Sequence, residues 1–259
     1  MADLRNYQAR AAAAGSRADA AIDEGLRAYM LKVYNLMALG LAITGIAALG
    51  TVMLATTTDP AAAVATLANG KMLTSLGAAL YGSPLRWVVM LAPLGAVFFL
   101  SFRIHTLSIS AAQTAFWVYA GLVGLSLSSI FLVYTAQSIT QTFFVTAASF
   151  GALSLYGYTT RRDLSAMGSF LIMGVFGLII AMLVNIFLQS SALEFAISAI
   201  GVLIFAGLTA YDTQQIKEMY WEGDETLVAG RKAIMGALRL YLDFLNLFMF
   251  LLQFLGNRE

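Results

Sequence analysis

The chain has 259 residues, 60% of them hydrophobic and 11% charged, with no cysteine and a formal net charge of +1. A soluble domain of this size carries about a quarter charged residues, so the shortfall, with apolar runs of ~20 residues, reads as a multispanning membrane protein. The near-neutral balance gives nucleic acid nothing to hold, and the missing cysteines exclude disulfides, thiolate metal sites and a cysteine nucleophile.

In chain order, residues 1–30 read as a polar N-terminal tail. Acids and arginines run through it before any apolar core, so it is not a signal peptide, and its stretch ARAAAAGSRADAA reads as loose or surface-lying. Residues 31–256 read as a single domain of seven transmembrane helices. The expected spans are 33–58, 85–101 (with Pro93 as a kink), two within 106–160, 165–188, 193–213 and 233–255. The polar stretch TAQSITQ is expected to be the turn between the third and fourth. The long connection around Asp59 to Gly82 shows no motif. Small residues at Ala120, Gly124 and Ser128, and at Gly174 and Gly177, mark seams where helices can approach closely.

Lys and Arg gather in connections on the N-terminal side, at Arg17, Arg27, Lys32, Arg103, Arg161, Arg162, Lys217, Arg231 and Lys232. The opposite side has Lys71, Arg86 and Arg258. The positive-inside rule then predicts a cytoplasmic N-terminus and an outer, periplasmic C-terminus.

Two stretches break the apolar pattern: LTAYDTQQIK, with Asp212, and LRLYLDFLNLF, with Asp243. Helical spacing puts Arg239, Asp243, Asn246 and Gln253 in one arc of the seventh span, while Asp212 shares a face with Thr209, Gly201 and Ser198. A charge facing lipid costs roughly 2.5–3.5 kcal/mol on insertion scales, so both stripes are expected to turn inward together. Asp212 lies ~7 Å by helical rise from Lys217, and Asp243 one turn beyond Arg239, which can snorkel to the surface. Both carboxyls are therefore expected in the cytoplasmic half, with Arg103 of FFLSFRIH in the same layer.

Two carboxylates in contact cannot both ionise easily, so such a pair holds a proton, and without it seeks Arg103 or a hard cation such as calcium. Each residue also has a plainer reading. Asp212 can be a helix-end residue, Asp243 an i−4 partner of Arg239, and Arg103 an interfacial anchor. Glu194 and Asn185 mark a span boundary, and His105, the single histidine, reads as interfacial.

FAGLTAYDTQQIK and ALRLYLDFLNLFMFLLQFLG resemble the Bax inhibitor motif family of membrane proteins, in its bacterial branch, and the similarity extends from about GLRAYMLKVYNLMALGLAITG to Gly256. The resemblance implies six helices around a central seventh and a pH-sensitive calcium leak of the inner membrane. It implies an aspartate pair, here Asp212 and Asp243, as proton sensor and tentative calcium site, with an arginine latch that falls on Arg103. No cofactor is implied besides calcium as bound or permeant ion. Two departures stand out. Arg239 occupies a position that is small and polar in many members, adding a counter-ion, and no carboxylate lies between Trp87 and Phe102, which removes an outer calcium ligand found in some. Asn246 and Thr209 are the supporting polar residues.

Two other functions fit a membrane chain with paired aspartates. A regulator of another membrane protein, such as a quality-control protease, would need no transport. An intramembrane aspartyl protease resembles this chain in its Tyr-Asp, but Leu240, Tyr241 and Leu242 precede the second aspartate where that class has Gly-x-Gly, and no proline follows Pro93. Bulky residues there would block a peptide substrate, so no enzyme activity is expected.

Overall fold

The computed structural model describes residues 2–104 and 106–257, with side chains from Glu24 onward; the side chains of most of the tail, His105 and Arg258 lie outside the described residues. In hydrocarbon every backbone N–H and C=O must find its partner within the segment, and apolar runs of this length meet that demand as helices. Among the described residues seven helices are long and apolar enough to cross a membrane. They are α1 (Ala2–Ala55), α2 (Leu85–Arg103), α3 (Ile109–Leu127), α4 (Ala136–Thr159), α5 (Ser165–Leu188), α6 (Ser191–Glu218) and α7 (Thr226–Leu255). The expected tail and first span are one helix, whose apolar crossing begins at Glu24.

The expected turn TAQSITQ is corrected. Thr135 caps α4 by accepting from the Ser138 N–H, so all but the first residue of that stretch is helical. The chain reverses instead at Tyr134, just after a short helical turn at Ile130–Val133 that prolongs the third crossing. Polar residues in a membrane chain mark a helix start as readily as a loop, because a hydroxyl satisfies an N–H that the first turn leaves open. Ser108 and Ser190 do the same for α3 and α6.

The α7 helix is the most interior element. Of its most apolar window 67% is buried, against 6% for α2 and 11% for α5. It packs on α6, α1, α4 and α3, whereas α2 leans chiefly on α3 and α5 on α6. Tyr241, fully buried on α7, sets its ring edge-on against Phe116 (5.5 Å) and at a steep angle to Tyr119 (5.8 Å) of α3. Its hydroxyl lies 2.6 Å from Thr44 Oγ1 on α1. The Thr44 proton is directed at the Gly40 and Ala120 carbonyls, so Tyr241 is the donor.

Of the small-residue seams, the one on α3 closes against α1, since a side chain at Gly124 would strike the Thr44 carbonyl. Gly174 faces Ile204 of α6, while Gly177 has open space around it and forms no seam. The connection from α1 to α2 is more ordered than its sequence implied. Short strands β1 (Thr56–Thr57), β2 (Ala65–Thr66) and β3 (Met72–Leu73) form an antiparallel sheet in the order β1-β3-β2. Asn69 Nδ2 and Lys71 Nζ fasten this sheet by donating to the Leu132 and Phe131 carbonyls at 2.8 and 2.6 Å.

Candidate functional site

Antiparallel helices α6 and α7 carry the site, and small residues set their register. At one end Ser198 Oγ donates to Gln253 Oε1 at 3.3 Å and Gly201 lies beneath Phe250. At the other, Gly236 lets Ile216 approach. Between these points Asp212 of α6 and Asp243 of α7 face one another, close enough for each carboxyl to act on the other. Ionised carboxylates only accept hydrogen bonds, so the two can hydrogen-bond to one another only when one of them carries a proton.

Asp243 is 5% exposed and its Oδ2 is buried without a hydrogen-bond partner, while Asp212 is less deeply covered. Arg239, one turn before Asp243 on α7, is exposed, yet near enough for its charge to act on both carboxyls. Arg103 closes α2 with an exposed side chain, on a helix that packs chiefly on α3 rather than on the two bearing the aspartates. Asn246 Nδ2 donates to the Leu242 carbonyl of its own helix and Thr209 Oγ1 to Phe205, so neither donor is directed at the pair. Asn185 accepts from the Ser190 N–H at the α5–α6 corner, and Glu194 lies in the first turn of α6.

Other residues of the YDTQQIK stretch fix the α6 turn that presents Asp212. Thr213 Oγ1 donates to the Thr209 carbonyl at 2.7 Å, and Ser154 Oγ of α4 lies 2.9 Å from it. Tyr34 of α1 lies 2.6 Å from Ser154. Because Thr213 has a single proton, the order of donation is Tyr34 to Ser154 to Thr213 to Thr209. Gln214 receives the Leu164 N–H and donates to the Arg162 carbonyl, both at 2.8 Å, and Lys217 Nζ donates to the Tyr158 carbonyl at 2.8 Å. The sequence reading gives Thr213 and Gln214 no role and takes Lys217 only as a topology and depth marker. They lie within one helical turn of Asp212 or just beyond it, and polar residues so spaced in an apolar span were the available signal.

Calcium takes six to eight oxygen ligands, and two carboxyls supply at most four. Among the described residues no group of three or more acidic, histidine or cysteine side chains could hold a metal.

A family model described as inhibitor of apoptosis-promoting Bax1 matches residues 26–259. The chain is 49% identical to an uncharacterized protein of Rickettsia prowazekii over 92% of each chain. It is 47% identical to an uncharacterized protein of Caulobacter vibrioides over the full length of both. It is 44% identical to the inner membrane protein YbhL of Escherichia coli, over 91% of this chain and 94% of that protein.

Proposed function

The chain belongs to the family of inhibitors of apoptosis-promoting Bax1, and from that premise we propose that it is a proton-gated calcium leak of the bacterial inner membrane. The observation that carries the reading is that Asp212 of α6 and Asp243 of α7 face one another, so that a hydrogen bond can join the two helices only while one carboxyl is protonated. Acid keeps the bridge and holds the helices closed. Alkali removes the shared proton, and two anions in a poorly hydrated site repel one another. That repulsion parts α6 from α7 and leaves oxygen ligands facing a passing calcium ion, with Arg239 as counter-charge.

Residence in an inner membrane is supported by the seven apolar helices and by the likeness to the Escherichia coli inner membrane protein. Charge distribution supports a cytoplasmic N-terminus and a periplasmic C-terminus. The reading assigns no catalytic step to any residue.

Purified protein in liposomes loaded with a calcium dye provides the test. Wild-type flux is expected to rise with pH, whereas Asp212→Asn with Asp243→Asn, which can keep an amide–amide bridge at any pH, abolishes the pH response. Equal pH dependence in both proteins would overturn the proposal.

A further inference from the structure

Between α1 and α4 lies an open groove of about 440 Å³ on the lateral face of the bundle. That volume lies within the ~300–1,000 Å³ range of small-molecule sites. Its walls are apolar: Phe150 lines it deeper in the membrane, and Leu31 and Leu155, 50% and 63% exposed, form its lateral lips. The polar groups in its floor are Tyr34 and Ser154, already committed to the hydroxyl chain ending on the Thr209 carbonyl. No water is needed to satisfy them, so the cavity suits a hydrocarbon occupant.

Two cations lie at the end of the cavity nearer the membrane surface. Arg27, exposed two turns before Tyr34 on α1, lines it. On the α4 side Tyr158 lines it, and Lys217 sits 5.4 Å from that ring while donating to the Tyr158 carbonyl. Glu24 and Glu218 are exposed in the same layer, and Glu218 accepts from Gln215. An apolar slot open to the bilayer, with an arginine and a lysine at its surface end, matches an amphiphile with a long tail and an anionic head.

We propose that the α1–α4 cavity binds one acyl chain of an anionic phospholipid, whose phosphate is held by Arg27 and Lys217. The lipid lies along the wall that carries Tyr34 and Ser154, and so touches the hydroxyl chain that fixes the α6 turn beside Asp212. This inference does not depend on calcium passage.

Native mass spectrometry of the full chain, released from bilayers of equal phosphatidylglycerol and phosphatidylcholine, tests it. The wild type is expected to retain phosphatidylglycerol preferentially. Each of Arg27→Gln and Lys217→Gln should lower that preference about five-fold, the weight of one cation at an anionic surface. Gly151→Leu, at a lining position where an added Cβ meets nothing within 4 Å, should fill the slot and remove the retained lipid of either kind. Equal retention of the two lipids by the wild type, an unchanged preference in both charge variants, or undiminished lipid on a folded Gly151→Leu protein would each overturn the proposal.

Discussion

Gly157 of α4 faces the Ala210 carbonyl of α6 so closely that any Cβ there would strike backbone rather than a movable side chain. Gly157→Ala is therefore expected to push α4 from α6 and to destabilise the protein by about 1–3 kcal/mol in thermal unfolding in detergent. The same displacement would stretch the Ser154–Thr213 hydrogen bond three residues away, so weakened ordering of the α6 turn should accompany it. Thr44 illustrates the opposite chemistry, a buried hydroxyl that links three helices through Gly40, Ala120 and Tyr241. Thr44→Val keeps the shape and deletes those bonds; a loss of about 1 kcal/mol is expected from chemical denaturation, in keeping with hydrogen bonds inside membranes. Neither role was legible in the sequence. A glycine or threonine in an apolar run looks the same whether it faces lipid or another helix, and only the partner's position decides.

At the scale of elements, the connection between α1 and α2 is fastened by identifiable side-chain bonds and so can be tested by removing one. Asn69→Ala deletes the bond to Leu132. Amide hydrogen exchange in β1, β2 and β3 is expected to quicken after this change, while the helices, whose ladders do not pass through Asn69, keep their protection. The connection from α6 to α7 is tied by charged side chains. Lys232 pairs with Asp224 at 2.5 Å and reaches the Met219 carbonyl, and Arg231 donates twice to the Leu107 carbonyl beyond the end of α2. In the sequence Arg231 and Lys232 are topology signals, and in the structure they are also tethers. The helices themselves were legible because hydrocarbon imposes one rule on any apolar run of sufficient length, with α5 bounded as expected at Ser165–Leu188. The sheet was not, since two-residue strands carry no readable alternation.

Over the whole molecule the distribution of burial separates an inner helix from peripheral ones. Leu252 on α7 is fully buried, whereas Leu94 on α2 is 54% exposed to the surroundings of the bundle. Leu252→Ala is expected to cost about 2–5 kcal/mol and Leu94→Ala less than about 0.5 kcal/mol, a contrast that parallel melting curves would reveal. Composition alone could not have ranked these helices, because lipid and protein interior are equally apolar and a leucine suits both. The sequence by itself determined that the chain crosses a membrane seven times and that its two intramembrane aspartates belong on inward faces, because hydrocarbon penalises exposed backbone and charge wherever they occur. Only the tertiary structure decided that those two residues face one another across α6 and α7, that Arg103 ends a helix packed chiefly on α3, and that Tyr34, Ser154 and Thr213 form a hydroxyl chain on the turn that carries Asp212. These facts depend on the rotation and offset of one helix against another, which are set by close contacts such as Gly201 with Phe250 and Gly236 with Ile216 rather than by any local preference.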